Sequence, residues 1–341
     1  MNLLFLASGS GGHVYPCLSL IKKAKLQNKV TYLTIRNGFE EKVITQDINA
    51  ISINVPNQLK KYLKHPSNFF LLKKELKRII NKINDIDAII SFGGFVTFIG
   101  LMLALKLKKP LYIHEQNSVL GDANGMGQFF AKKVFVTFPN TKHLIFKNKQ
   151  YIVGNPRMDE VSKKEYLKTK NYKILFFAGS LSSSSLNKII KEVLTKYVKS
   201  DVELFIITGT KDYETFKKYS NKNINIIAYE NNMIELMQKM DLIVMRAGAT
   251  SISEVIALNK VAILIPSPNV KHNHQYLNAK YLKDQNAAFL LKEKDLTSDK
   301  LISLIEIIKN DYNLEIITRL NLRKLKKNNV SDNILKEIKN D

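Results

Sequence analysis

The stretch Asn2-Leu3-Leu4-Phe5-Leu6-Ala7-Ser8-Gly9-Ser10-Gly11-Gly12-His13-Val14-Tyr15-Pro16 opens the chain. An apolar run ends in glycines. A helical pattern then begins with Pro16 in its first turn, where a missing N–H costs little. The order predicts a strand, a tight turn and a helix. It returns along the whole chain. Apolar runs at 2–7, 30–35, 49–54, 87–91, 110–114, 133–137 and 150–153 predict one set of strands. A polar stretch follows, and runs at 173–178, 202–208, 223–228, 241–245, 261–265 and 287–290 predict a second set. Helical patterns at 14–25, 68–83, 95–107, 184–197, 248–257 and 274–284 separate most of them. Alternation of this kind predicts α/β architecture, with parallel sheets covered by helices on both faces. The break near 154–172 divides the chain into two doubly wound domains. Ligands in such domains sit at the carboxyl ends of the strands, so the loops there carry the functional reading.

Composition narrows the class. The 341 residues are too many for one ordinary domain. An apolar share of 45% and a charged share of 24% exclude a disordered, collagen-like or disulfide-rich chain. A lone cysteine, Cys17, excludes an internal disulfide and suits a reducing cytosol. The longest uncharged apolar stretch, 95–105, falls short of the roughly 18 residues that span a bilayer. The amino terminus runs straight into glycines and reads as a strand, not a signal peptide. The net charge of +23 is mostly lysine, 47 against 6 arginines, which suits compositional bias. No basic stretch is interleaved with aromatics in the manner of an RNA-binding module, so nucleic acid is not the expected partner. The charge is uneven, with +14 in residues 1–155 and +9 in 156–341.

Six loops hold the residues that could do chemistry. In the first, Ser10, Gly11 and Gly12 offer backbone N–H groups to an anion, and His13 offers an imidazole that can take a proton from a hydroxyl. The dinucleotide fingerprint fails here, because Val14 stands at the third glycine position and strand 30–35 ends in Thr34-Ile35-Arg36 without the ribose-binding acid. The second loop, Ser91-Phe92-Gly93-Gly94-Phe95, reads as a phosphate contact or as a tight turn packed closely on a neighbour. The third, His114-Glu115-Gln116-Asn117, serves a ligand or hydrogen-bonds within itself. The fourth, Ala178-Gly179-Ser180-Leu181-Ser182-Ser183, has the position of a diphosphate loop. The fifth, Arg246-Ala247-Gly248-Ala249, opens a helix carrying Glu254, a carboxylate able to accept both hydroxyls of a ribose. The sixth holds His272, His274 and Gln275. Its two histidines lack an acidic partner nearby, so zinc is not expected. No G-x-S-x-G elbow or H-E-x-x-H helix appears, which disfavours a hydrolase.

Together and in order, these loops resemble the MurG family of glycosyltransferase family 28, the UDP-GlcNAc:lipid I N-acetylglucosaminyltransferases. The resemblance covers almost the whole chain. It rests on Gly9-Ser10-Gly11-Gly12-His13, Phe92-Gly93-Gly94-Phe95, His114-Glu115-Gln116-Asn117, Gly154-Asn155-Pro156, Arg246-Ala247-Gly248-Ala249 with Ser253-Glu254, and His274-Gln275 with Asn278-Ala279. It implies a GT-B fold, two Rossmann-like domains facing a cleft. Residues 1–155 would meet the acceptor and the membrane, with a C-terminal helix at about 321–341 returning to them. Residues 156–320 would bind the UDP-sugar. His13 and Glu115 become the catalytic candidates, His13 by activating the acceptor hydroxyl. Ser10, Gly11, Gly12, Asn117, Arg157, Ser180, Tyr229, Met233, Arg246, Ala249, Glu254 and Gln275 become the UDP-GlcNAc candidates. Gly93 and Gly94 would meet an acceptor phosphate. UDP-GlcNAc is then the donor substrate, a polyprenyl-pyrophosphate-linked sugar the acceptor, and no tightly bound metal is expected. Three segments depart from the family pattern, one of them Gly121-Asp122-Ala123-Asn124 after the third loop. Leu181 and Ser182 replace a Gln-Gly pair, and Arg157 sits one place early.

The uneven charge acquires a location. Residues 56–82 carry Lys60, Lys61, Lys64, Lys73, Lys74, Lys77, Arg78 and Lys82 against Glu75 alone. Positions 69, 72, 76, 79, 80 and 83 read as a core stripe. Phe70 and Leu71 fall beside it, an apolar tip ringed by Lys73, Lys74 and their neighbours and suited to anionic headgroups. The expected location is therefore peripheral, on the cytoplasmic face of the cell membrane. Competing readings are a UDP-sugar:diacylglycerol glycosyltransferase, a UDP-GlcNAc 2-epimerase, and a non-catalytic membrane or nucleotide-binding protein.

Overall fold

The computed structural model describes residues 1–56, 65, 67–83, 85–161, 170–178, 184–197 and 199–341. The chain forms two compact units, one of residues 1–160 with 327–341 and the other of 161–326.

The first unit is built on seven parallel strands: β1 (Asn2–Leu6), β2 (Lys29–Ile35), β3 (Asn49–Ile53), β4 (Ala88–Ser91), β5 (Leu111–Glu115), β6 (Lys133–Val136) and β7 (Gln150–Ile152). Their order in the sheet is β3-β2-β1-β4-β5-β6-β7, so its direction of growth reverses between β1 and β4. The second unit has six parallel strands: β8 (Tyr172–Phe177), β9 (Val202–Ile207), β10 (Ile224–Ile227), β11 (Leu242–Met245), β12 (Val261–Leu264) and β13 (Phe289–Leu290). The order β10-β9-β8-β11-β12-β13 repeats the reversal between β8 and β11. Both are Rossmann-like sheets. A parallel strand is covered on both faces, which is why β4, β5, β6, β11 and β12 are buried along their whole length and are mainly apolar.

Each unit has its own apolar core. In the first, Leu72, Leu76 and Ile79 of the helix Ser67–Ile80 pack with Leu4, Leu33, Ile89 and Val96. In the second, Leu186, Ile190 and Val193 of the helix Ser184–Lys196 pack with Ile174, Phe176, Leu204 and Val244. Phe69, expected in the core stripe, is 47% exposed. The stripe begins only at Leu72, so the first turn of that helix projects beyond the core.

The return of the chain to the first unit begins at Lys327, later than the expected 321. The helix Tyr312–Leu325 stays with the second unit, where Arg319 donates to the Asn259 carbonyl at 2.8 Å. The returning helix is Val330–Lys339. Its preceding residue, Asn329, is left-handed and makes no side-chain cap. Asp159 supplies the cap from a distance, accepting from Val330 N–H at 3.0 Å and Ser331 N–H at 2.7 Å. At the other end Lys133 of β6 donates to the Glu337 carboxylate at 2.8 Å, and the Tyr112 hydroxyl of β5 donates to Asp341 at 3.0 Å. No helix among the described residues is long and apolar enough to cross a membrane.

The remote cap gives a test. Asp159→Ala removes the acceptor for two end-of-helix donors, a loss of about 1 kcal/mol. Amide hydrogen exchange at 330–339 is expected to quicken about fivefold. Unchanged exchange there would show that Asp159 does not hold the helix.

Candidate active site

In the first unit the reversal places the carboxyl ends of β1 and β4 side by side, with Leu6 opposite Ser91. The two glycine loops meet there. Ser8 N–H donates to the Gly93 carbonyl at 3.4 Å, and Phe92 N–H to the Leu6 carbonyl at 2.8 Å. Gly93 and Gly94 have φ of +111° and +82°. A Cβ on Gly93 would lie 2.8 Å from His13 Nδ1, and one on Gly94 would lie 2.4 Å from the Ser8 carbonyl oxygen. Both glycines are thus required by backbone conformation and by close approach to the first loop. Ser10 is the extended residue before the helix Gly11–Ala24 and makes no side-chain cap. Gly11, Gly12 and His13 form the first helical turn, where His13 N–H donates to the Ser10 carbonyl at 3.1 Å. An amino end of this kind favours an anion or an oxygen-rich ligand.

The third loop joins the same place. His13 Nδ1 lies 2.7 Å from Gln116 Oε1. The Gln116 amide nitrogen lies 3.0 Å from the His114 carbonyl oxygen and 3.1 Å from His114 Nδ1. His114 Nε2 lies 2.8 Å from the Gly154 carbonyl oxygen. The His114 ring stacks on Phe92, with centroids 4.9 Å apart and planes 19° apart. His114 and Gln116 are fully buried, whereas His13 is half-buried.

Glu115, expected as a catalytic candidate, is held by its own loop. It is fully buried. Its Oε1 accepts from Asn117 N–H at 3.0 Å and from the Asn117 side chain at 3.2 Å. Its Oε2 accepts from Gly121 N–H at 3.0 Å and Asn124 Nδ2 at 2.8 Å. Four donors already occupy the carboxylate, so it clamps the 115–124 loop. Asn117 is fixed by that clamp at the loop's edge. Arg157 lies in the turn Pro156–Glu160 with its guanidinium 5.4 Å from the Tyr15 ring, which sets it beside the first helix and not in the second unit.

In the second unit the reversal between β8 and β11 puts Arg246 at the corresponding position. Arg246 is buried. Its guanidinium donates to Glu293 Oε2 at 2.6 Å, to Ser185 Oγ at 3.0 Å and to the Ile265 carbonyl at 3.2 Å. The Glu293 carboxylate compensates its charge. Arg246 therefore fastens the helix after β8 to the end of β12. Ala249 is the first residue of the helix Ala249–Leu258, and Glu254 lies in its second turn, 6% exposed. Asn278 donates to the Ala247 carbonyl at 3.2 Å and holds that turn. Gln275 Oε1 accepts from Ser267 N–H at 2.9 Å. Tyr229, 58% exposed, follows β10, and Met233 begins the helix Met233–Gln238. Ser180, Leu181 and Ser182 lie outside the described residues. Among the described residues no three His, Cys, Asp or Glu side chains group as metal ligands.

Comparison with known proteins follows this geometry. The glycosyltransferase family 28 N-terminal domain matches residues 3–136, and the family 28 C-terminal domain matches 173–331. A curated relative from Bacillus cytotoxicus is 34% identical over 337 residues, 92% of each chain. Its name is UDP-N-acetylglucosamine–N-acetylmuramyl-(pentapeptide) pyrophosphoryl-undecaprenol N-acetylglucosamine transferase. A relative of the same name from Pediococcus pentosaceus is 31% identical over 361 residues, 99% of each chain. The crystal structure of Acinetobacter baumannii MurG superposes with a TM-score of 0.81 at 25% identity, covering 100% of this chain and 99% of that one. The chain belongs to the MurG family. The fold is accordingly GT-B, with the two Rossmann-like units of that family.

In this MurG-family chain, sequence reasoning singled out each loop but not the links between them. Gln116 and His114 stood within a quoted polar cluster, and their bonds to His13 and Gly154 had no local signal. Asn124, Glu293 and Ser185 had none either, since each acts across a distance in sequence.

Burial takes the His114 imidazole from its ordinary 6.5 down to about 4, partly opposed by the Gly154 carbonyl. The folded state then binds this proton less readily than the unfolded chain does. Its contribution to stability is complete above about pH 6.5 and is lost as pH falls from there through about 4. The slope approaches about 1.4 kcal/mol per pH unit within that window. Denaturant unfolding across it is expected to show this slope in the wild type relative to His114→Gln. Parallel pH profiles would exclude a depressed His114.

Proposed function

We propose that this chain transfers N-acetylglucosamine from UDP-GlcNAc to lipid I, undecaprenyl-pyrophosphoryl-MurNAc-pentapeptide, with inversion, forming lipid II for peptidoglycan. Family membership across both units supports the reaction class. The observation that carries the reading is His13. It stands at the β1–β4 reversal, in the first turn of a helix, with one ring nitrogen held by Gln116. In the reaction its other nitrogen takes the proton of the acceptor hydroxyl as that oxygen attacks the anomeric carbon and UDP leaves from the opposite face. The reacting centre passes through an oxocarbenium-like state, as in glycoside hydrolysis. Glu254 and Gln275 take the ribose and the sugar, Tyr229 and Met233 the uracil, and Ala249 with the Ser180 loop the diphosphate. Ser10, Gly11, Gly12, Asn117 and Arg157 complete the donor contacts from the first unit. Backbone N–H groups at helix ends supply the field for the leaving group. Gly93 and Gly94 present backbone to an acceptor phosphate. Arg246 and Glu115 act by holding their loops.

The acceptor is lipid-borne, and a surface fits it. Phe70 is 78% exposed at the start of the helix Ser67–Ile80, Leu71 is half-buried beside it, and Lys73 and Lys74 are exposed one turn on. Lys60, Lys61 and Lys64 lie outside the described residues. An apolar tip with cations around it binds an anionic bilayer peripherally, here at the cytoplasmic face.

Transfer from labelled UDP-GlcNAc, offered lipid I and diacylglycerol in parallel, is expected to label lipid I alone. Label in diacylglycerol alone would favour the diacylglycerol reading, and release of ManNAc would favour an epimerase. His13→Ala is expected to lower kcat about 10²- to 10⁴-fold, the usual worth of a general base. Glu254→Ala is expected mainly to raise the KM for UDP-GlcNAc. Near-normal turnover in His13→Ala would remove the base assignment.

Replacing Phe70 and Leu71 with Ser, and Lys73 and Lys74 with Gln, tests the membrane surface. The two charges alone are worth about 2 kcal/mol, roughly 30-fold in affinity for anionic vesicles. Co-sedimentation undiminished by all four changes would place the membrane contact elsewhere.

A further inference from the structure

We infer that Gln116 is a positioning residue for His13, and that a chain of hydrogen bonds from the backbone carbonyl of Gly154 sets which nitrogen of His13 carries the proton. The inference rests on the reading of His13 as the base, but its decisive measurement does not.

The logic runs in one direction because each link leaves one choice. A carbonyl oxygen only accepts, so His114 Nε2, 2.8 Å from the Gly154 oxygen, must carry hydrogen. His114 is fully buried, and burial depresses its protonation to about pH 4, so the ring is neutral near pH 7. Its Nδ1 is then a lone pair that needs a donor. The Gln116 amide nitrogen, 3.1 Å away, supplies one of its two hydrogens. The other goes to the His114 carbonyl oxygen at 3.0 Å. That second bond independently fixes which way the amide points, because the reversed amide would set two oxygens against each other. Gln116 Oε1 must therefore face His13 Nδ1, at 2.7 Å. An amide oxygen only accepts, so His13 Nδ1 carries the hydrogen and Nε2 holds the lone pair.

A base needs its lone pair aimed at the substrate and its other nitrogen anchored. His13 Nε2 makes no hydrogen bond among the described residues. Gly93 leaves the ring its place, since a Cβ there would come within 2.8 Å of Nδ1. The orienting group in this chain is a neutral amide, not a carboxylate. It selects the tautomer without placing a negative charge beside the ring. The anchor of the chain lies at Gly154, whose Cβ position would be 2.9 Å from Lys327 Cβ, where the chain re-enters the first unit. Residues far apart in sequence, 13, 114, 116 and 154, thus cooperate to prepare one atom.

The tautomer is directly observable. The full chain labelled with ¹⁵N-histidine reports each ring nitrogen as protonated or bare through two-bond proton–nitrogen correlations, with His13→Ala assigning the signal. In the wild type at a pH where His13 is neutral, the His13 ring is expected as Nδ1–H with Nε2 bare. In Gln116→Met, close in shape and lacking both functions, the ring is expected to shift toward Nε2–H. In the same variant kcat is expected to fall roughly 10- to 100-fold, a part of what a general base supplies. The KM for UDP-GlcNAc should stay within about twofold. A wild-type His13 found as Nε2–H would overturn the inference whatever the variant does. So would a Gln116→Met enzyme with an unchanged tautomer, or one with unchanged kcat while His13→Ala loses turnover. Failure of the base reading is separate: there His13→Ala retains turnover, while the wild-type ring can still be Nδ1–H.

Discussion

The bond from His114 to the Gly154 carbonyl is the constraint on which the first unit's chemistry depends. It spans 40 residues in sequence and 2.8 Å in space. A buried imidazole without a fixed partner could hold its proton on either nitrogen, and every downstream group would follow. The backbone carbonyl removes that freedom. The stack on Phe92 keeps the ring in place while the hydrogen bond chooses its polarity. Because Phe92 belongs to the second glycine loop, packing and hydrogen bonding act on the same few residues.

Glu115 and Arg246 illustrate the difference between a residue that has charge and one that can use it. Both are rare types in their surroundings and both lie at strand ends where ligands bind. Both are buried, and both have their charge or lone pairs taken by protein groups. A buried ion is costly unless it is satisfied. Satisfaction binds Glu115 to its own loop and Arg246 to Glu293 and Ser185. Each thereby holds the shape of its loop. His13 is half-buried and has one nitrogen uncommitted to protein, the combination that a proton acceptor requires.

The central strands, such as β11 and β12, were legible because a parallel strand covered on both faces is apolar along its length and stands out against polar neighbours. Long helices such as Ser184–Lys196 were legible for a similar reason, since one face must repeat with the helical period. One-turn helices such as Phe39–Val43 and Tyr213–Lys217 are too short to display a period. The end of a core stripe was also illegible. Phe69 fits the spacing of Leu72 and Leu76, and only the extent of the core beneath the helix leaves it in solvent. The returning helix began later than its lysine- and asparagine-rich sequence implied, because its cap, Asp159, lies 171 residues away from Val330.

By itself the sequence determined the α/β class, the two doubly wound sheets, and the loops that gather chemistry at their strand ends. Local order of residue types is enough for these, since strand, glycine turn and helix start are properties of neighbouring residues. Tertiary structure alone decided which polar residues act and which hold. The tautomer of His13, the clamp on Glu115 and the compensation of Arg246 each depend on a partner brought close by folding. A donor or acceptor has no assigned role until its counterpart stands at hydrogen-bond distance, and no local pattern encodes that distance.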